Sequence, residues 1–96
     1  PANALGMIGE NLGAQQRSGL GLRPGEGVRV GRVDGIAARE AGLRAGDVIL
    51  AVGRNDIGSV AALDAQLRAA GAGKPVMLLV RRGGGTQYLT VTPGED

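Results

Sequence analysis

The chain has 96 residues, enough for one small domain around one hydrophobic core. Histidine and cysteine are both absent, which removes the usual general base, the usual soft metal ligands and any disulfide framework. The net charge of +2 comes almost wholly from arginines scattered along the chain, a distribution that argues against a nucleic-acid-binding surface.

The first part of the chain predicts two strands separated by a long loop. Residues 4–12 are apolar but contain Gly6 and Gly9, as in an edge strand that other backbone approaches closely. Residues 13–27 are polar and glycine-rich, which predicts a connecting loop in which residues 14–17 could form one helical turn. Residues 28–33 alternate apolar with polar or small side chains, the period of a strand buried on one face.

Two helices are predicted in the remainder. Residues 36–42 hold alanines and spaced apolar residues, which suit a short helix with Gly42 as its C-terminal cap. The second helix begins after Ser59, whose hydroxyl can accept a hydrogen bond from a free amide of the first turn. Apolar residues recur at helical spacing through residues 60–70, and Gly71 is available for a left-handed cap.

The other segments of the second half predict strands. Residues 48–53 are almost continuously apolar, which is typical of a central strand. Residues 55–58 predict a turn with a short strand at most. Residues 76–82 and 86–92 flank three glycines and predict a hairpin. The total is about five strands and two helices, an α+β and mostly β fold.

One stretch carries a specific family signal. Residues 38–52 read AREAGLRAGDVILAV and resemble the A-x-x-A-G-L-x-x-G-D-x-I-L-x-V stretch of bacterial PDZ domains. Gly42 would end the short helix, and Gly46 would make the tight turn that brings Asp47 under it. Leu43 would fill the gap between helix and strand. These residues are interpreted as scaffold without ligand contact.

The resemblance extends over residues 1–96 as a single domain. It implies a partly open barrel or sandwich of five to six strands with two helices, in the circularly permuted order of bacterial PDZ domains. The loop at 13–27 resembles that of the second, C-terminal PDZ domain of HtrA (Do-like) serine proteases in particular. Such a parent would work in the bacterial periplasm in protein quality control. Carboxy-terminal processing and site-2 proteases are the alternative parents.

The resemblance also implies where a peptide would bind. The family places a loop of the type X-apolar-Gly-apolar ahead of its binding strand; here the loop and strand residues are Ala4, Leu5, Gly6, Met7, Ile8 and Gly9. The glycine would let successive backbone N–H groups form a nest for a terminal carboxylate, and the strand would pair with the extended peptide. Leu5 and Met7 would line the pocket for the terminal side chain, or else they are ordinary core residues.

The predicted second helix would form the other wall of the groove, with Val60, Leu63, Asp64 and Leu67 as its candidate residues. Val60 holds the first helical position, which in this family meets a ligand side chain upstream of the terminus. PDZ domains that prefer Ser or Thr there often carry a histidine at this position. Because valine can neither donate nor accept a hydrogen bond, we predict an apolar preference.

Two functions of different classes follow. The domain could be a non-catalytic module that binds C-terminal or unfolded apolar segments by strand addition, for substrate recruitment and regulation. It could instead be an assembly module that contacts other domains or subunits of the parent protease without free peptide. The Leu5-Gly6-Met7 loop favours the first function, and the absence of a basic residue before Ala4 favours the second.

The sequence lacks the residues that other functions would need. Lys74 is the single lysine, and it follows Gly73 but precedes Pro75, so it belongs to no phosphate loop. Ser59 is explained as a helix cap rather than as a nucleophile. No apolar run approaches the roughly 20 residues of a membrane span, and the start does not read as a signal peptide. We expect no catalytic residue, bound metal, cofactor, nucleic-acid partner or membrane span in this segment, which is interpreted as part of a longer protein.

Overall fold

The computed structural model describes residues 3–94. Its helices are α1 (Ala14–Gly19), α2 (Ile36–Ala41) and α3 (Val60–Ala70). Its strands are β1 (Met7–Asn11), β2 (Val28–Val33), β3 (Val48–Val52), β4 (Asn55–Asp56), β5 (Val76–Arg82) and β6 (Gly85–Val91). The mostly-β, α+β class expected from the sequence is confirmed.

The described strands form one antiparallel sheet in the order β1-β2-β3-β5-β6, with β4 paired to β3. β1 and β6 are therefore its two edges. A backbone hydrogen bond from Gly94 N–H to the carbonyl of Ala4, at 2.9 Å, joins the segments that flank these edges. The sheet stays open, and within residues 3–94 β1 has a strand neighbour on one side only.

Strand β3 is buried along its whole length because it is covered on both faces. Ile49 and Val52 belong to the main core, whereas Val48 and Leu50 belong to a second cluster that includes leucines of the 13–27 loop. Continuous burial explains the continuous apolar run in the sequence. The long loop thus serves as the outer cover of the sheet.

The caps of α2 and α3 account for most of the predicted helix boundaries. Gly42 ends α2 with φ +87°, the left-handed conformation expected. Ser59 caps α3, and its hydroxyl accepts from Ala62 N–H at 3.0 Å. At the other end of α3 the prediction is wrong: Gly71 has φ +90° but ψ 148°, so the chain leaves in an extended direction rather than through a left-handed cap.

The number of helices also differs from the expected two. The single turn predicted in the long loop extends to a helix over Ala14–Gly19. Gln16 supports its start, since its side-chain oxygen accepts from Gly13 N–H at 2.7 Å. Arg17 then ties the helix to the loop's far end and to the segment before α3 by donating to the carbonyls of Glu26 and Gly58 at 2.9 and 2.8 Å, respectively. These long-range contacts stabilise a helix too short to persist alone.

A buried ion pair joins the scaffold stretch to β5. Asp47 is 2% exposed, and Arg82 binds it in a bidentate manner at 2.8 and 2.7 Å. The backbone N–H of Arg44 donates to the same carboxylate at 2.9 Å, and Arg82 also donates to Gly42 carbonyl oxygen at 2.8 Å. Burial alone would raise the pKa of Asp47, but the hydrogen bonds from Arg82 and Arg44 outweigh burial and hold that pKa below its ordinary value.

Candidate functional site

The chain makes a tight turn immediately before β1, and that turn is anchored from behind. Gly6 has φ +74°, and its backbone lies so close to Gly35 that a Cβ on Gly6 would be 2.2 Å from Gly35 Cα. The Gly6 carbonyl accepts from the N–H groups of Asp34 and Gly35 at 2.8 and 2.7 Å, and the Leu5 carbonyl accepts from Ala38 N–H at 2.9 Å. Glycine is required here both for the positive φ and for the close approach.

The backbone amides of the turn all donate to one residue, Asn3. Leu5 N–H and Met7 N–H donate to Asn3 Oδ1 at 2.9 and 3.4 Å, and Gly6 N–H donates to the Asn3 carbonyl at 2.9 Å. Three consecutive N–H groups therefore reach oxygen atoms of a single residue. Such a concave group of amides is a nest, and a nest attracts anionic oxygen.

Helix α3 lies beside β1, and the boundary between them is where the sequence predicts the peptide groove. Asn11 Oδ1 accepts from Val60 N–H at 2.8 Å, and Asn3 Nδ2 donates to Asp64 Oδ1 at 3.1 Å. These two hydrogen bonds set the separation of strand and helix at either end. Between them, a Cβ on Gly9 would be 3.3 Å from Val60 Cγ2, so the absence of a side chain at Gly9 lets α3 pack closely on β1.

Comparison with protein families settles the kind of fold to which this groove belongs. The family model described as PDZ domain matches residues 6–92. The chain belongs to the PDZ domain family. A PDZ domain is a binding module and not a catalytic one, so the groove, rather than a set of reactive side chains, is where the function of this domain is sought.

Solved structures of HtrA-type proteases resemble this PDZ domain. AlgW carrying S227A, solved with a decapeptide, is 29% identical with a TM-score of 0.84 over 94% of this chain and 28% of that one. AlgW with a tripeptide is 27% identical with a TM-score of 0.80, over 93% and 30%. The HtrA3 PDZ domain bound to a phage-derived ligand (FGRWV) shares the fold at 18% identity, with a TM-score of 0.73 over 93% and 82%. These matches are consistent with an HtrA-like PDZ domain.

The PDZ domain spans under a third of the AlgW chains that it matches. A search of curated proteins found no match. Among residues 3–94 no helix is long and apolar enough to cross a membrane. The same residues contain no cluster of three or more potential metal-ligating side chains.

The predicted site residues of the PDZ domain fall into two groups. The side chains of Leu5, Met7, Leu63 and Leu67 are at most 1% exposed and lie in the main core. The half-buried residues at the groove are Ala4, Gly6, Ile8, Gly9, Val60 and Asp64. Leu5 and Met7 thus occupy core positions in this structure, and a role as the pocket's inner wall stays a prediction.

Two residues of the groove were not among the predicted ones. Asn3 was missed although asparagine often hydrogen-bonds backbone a few residues ahead, and this tendency was the available signal. Asn11 left no such signal, since its partner Val60 lies 49 positions away. The close contact of Gly6 with Gly35 could not be predicted from the sequence either, because it depends on how the turn after β2 packs against the loop before β1.

Proposed function

We propose that this PDZ domain binds C-terminal or extended apolar peptide segments by strand addition to β1, beside α3. The observation that carries the proposal is the nest of Leu5, Gly6 and Met7 N–H groups at the end of an edge strand. A C-terminal peptide would place its carboxylate at the nest and pair its backbone with β1. The AlgW structures solved with a decapeptide and a tripeptide support this assignment.

Affinity in this arrangement comes mainly from main-chain hydrogen bonds, and selectivity comes from the few side chains that border the groove. Val60 and Asp64 are half-buried on α3, and Ile8 is half-buried on β1. An internal peptide segment can still pair with the strand but brings no carboxylate to the nest. We therefore expect free C-termini to bind more tightly than internal segments of the same sequence.

The parent protein proposed for this domain is an HtrA-type serine protease of the bacterial periplasm, with the domain as its second PDZ unit. In that setting peptide capture would recruit substrates and regulate the protease. The resemblance of the scaffold stretch and of the long loop supports this parent. Reading the parent gene tests it: a Gly-Asn-Ser-Gly-Gly type protease motif and another PDZ domain ahead of Pro1 are expected.

Peptide titration followed by NMR is the direct test of the groove. A decapeptide with an apolar C-terminus is expected to shift the amide signals of residues 5–9 and 60–67. Because hydrogen bonds to a charged acceptor are stronger than those to a neutral one, the free-acid form should bind about tenfold more tightly than the same peptide with an amidated terminus. Equal affinity of the two forms would exclude the nest as the carboxylate site.

An assembly module is the second candidate, and three exposed apolar side chains favour it. Ile36, Met77 and Tyr88 are 74%, 47% and 61% exposed and lie on α2, β5 and β6 rather than on β1 or α3. Contacts with other subunits would bury such residues. If peptides leave residues 5–9 unmoved while dilution of the protein shifts the signals around Tyr88, the assembly function replaces peptide capture.

Val60 makes a separate prediction about selectivity. Peptides carrying Val or Leu at the ligand position that meets the start of α3 should bind about three- to tenfold more tightly than peptides with Ser or Thr there, because a hydroxyl against valine loses its hydrogen bond to water. Competition titration with a peptide series measures this. The V60H variant, with A61H as its control on the exposed side of the helix, should reverse the order. A preference of the native domain for Ser or Thr would contradict the assignment.

A further inference from the structure

We propose that Asn3 is a built-in competitor of the peptide: its carboxamide and carbonyl occupy the nest, and a C-terminal carboxylate binds only after Asn3 has left. This inference rests on the proposed function of the groove. It goes beyond that function because it names a residue that lowers the affinity for peptide. Peptide binding by a PDZ domain does not require such a residue.

The contacts of Asn3 are those a bound terminal residue would make. Its N–H donates to the Met7 carbonyl at 3.1 Å, as an added strand would do at the beginning of β1. Its Oδ1 and its carbonyl oxygen together accept all three N–H groups of the nest. A carboxylate presents two oxygen atoms to the same donors. Peptide and Asn3 therefore cannot occupy the nest together.

A second contact holds the competitor in place. Asn3 Nδ2 donates to Asp64 Oδ1 at 3.1 Å, a partly buried hydrogen bond that spans the groove from the loop to α3. Removing Asn3 from the nest breaks this bond as well. It also leaves the Asp64 carboxylate facing an incoming carboxylate, and like charges at close range repel. The apparent affinity for a C-terminus is reduced by the small fraction of molecules in which the nest is open.

The alternative is that Asn3 is a brace that shapes the loop for ligand, and the N3A variant separates the two roles by sign. If Asn3 is a competitor, N3A should bind free-acid peptide about three- to tenfold more tightly than the native chain. The two or three modest hydrogen bonds of the Asn3 side chain then no longer have to be broken before the peptide binds. A brace predicts weaker binding. The amidated peptide has no terminal carboxylate for the nest, so its affinity should increase less than twofold in N3A. The N55A variant is the control, because Asn55 also donates to a side chain, Gln66 Oε1 at 3.0 Å, but lies in β4.

The reciprocal variant N3D/D64N moves the affinity the other way. It places a carboxylate in the nest, where charge-assisted hydrogen bonds hold it more strongly, and keeps an amide on α3 to face it. Free-acid peptide should then bind at least about threefold more weakly than to the native chain. In the absence of peptide, hydrogen exchange of the Leu5 and Met7 amides should be faster in N3A and unchanged or slower in N3D/D64N.

The outcomes are distinct. Tighter binding by N3A together with weaker binding by N3D/D64N supports the competitor, and binding by N3A where the native chain shows none supports it in its strongest form. Equal or weaker binding by N3A, with the native chain binding normally, overturns the inference but leaves the proposed function intact. If no variant binds any free-acid peptide, the proposed function fails and the competitor fails with it.

Discussion

Replacing Gly6 with alanine is expected to abolish binding of C-terminal peptides and to destabilise the domain. The positive φ of +74° is costly for any residue with a Cβ, and the added methyl would lie 2.2 Å from Gly35 Cα and 2.7 Å from Gly35 N. Backbone atoms cannot move aside as a side chain can, so the loop must shift and the three N–H groups of the nest lose their common orientation. The combined cost is on the order of 3 kcal/mol in the free energy of unfolding, measured by urea denaturation alongside the peptide titration.

A second glycine separates the two causes of the Gly6 effect. G35A changes a residue with an ordinary φ of −97°, yet its Cβ would be 2.5 Å from Gly6 Cα. It should therefore disturb the same contact without any strain in φ. G84A is the control, because a Cβ on Gly84 meets no atom within 4 Å. Normal peptide binding by both G6A and G35A would refute the nest as the binding element.

The other large effect is expected at the buried ion pair. D47N preserves the shape of Asp47 but turns one acceptor of the carboxylate into a donor that faces Arg82 or the Arg44 N–H. Removing one member of a buried pair costs about 3–5 kcal/mol, and the partial exposure of Arg82 reduces this to roughly 2–3 kcal/mol by analogy with more solvated pairs. For a domain of this size the melting temperature should fall by about 10 °C or more.

The matched control for D47N is D34N, which also changes one aspartate to its amide. Asp34 pairs with Arg32 at 2.9 Å, but the two side chains are 44% and 71% exposed. Solvent screens such a pair, so D34N should change the free energy of unfolding by less than about 0.5 kcal/mol. Equal losses in the two variants would show that burial of Asp47 contributes nothing.

The pH dependence of the same pair has a defined sign. The folded-state pKa of Asp47 is depressed below its ordinary value of 3.8. The stability that Asp47 contributes is therefore fully present above the ordinary value and is lost as pH falls below it and through the lower folded-state pKa. The difference between native and D47N chains should be full at pH 7 and shrink below about pH 4. Denaturation curves at pH 7, 5 and 3 measure it, and a difference that stays constant to pH 3 would contradict the charge argument.

Most helices and strands could be predicted from the sequence because local patterns determine them. The alternation of residues 28–33 placed β2 within its observed bounds, and Ser59 with the helical spacing after it placed α3. Gly42 and the turn at Gly46 defined the scaffold stretch, with positive φ at both. The misjudged features were the first strand, α1 and the cap at Gly71. Residues 4–6 form the turn before β1 instead of belonging to the strand predicted over 4–12. At α1 and Gly71, long-range hydrogen bonds and chain direction override local preference.

Only part of the candidate site could be proposed from the sequence. The loop Ala4-Leu5-Gly6-Met7 and the first residue of α3 were proposed from their resemblance to a known arrangement, whereas neither Asn3 in the nest nor the hydrogen bonds to α3 were predicted. Val60 was predicted at the groove, whereas its hydrogen bond to Asn11 was not. The two hydrogen bonds that reach α3 join residues 49 and 61 positions apart, whereas the contacts of Asn3 with the nest are local and were simply overlooked.

The sequence by itself determined most of the helices and strands, since glycine positions, helix caps and apolar periodicity act over a few residues, and the resemblance of residues 38–52 indicated the PDZ family. Only the tertiary structure decided that Leu5 and Met7 are core residues and that Asn3 fills the nest between β1 and α3. Burial of the two side chains depends on which distant segments pack together, and that packing also brings Asn3 to Asp64 across 61 positions of the chain.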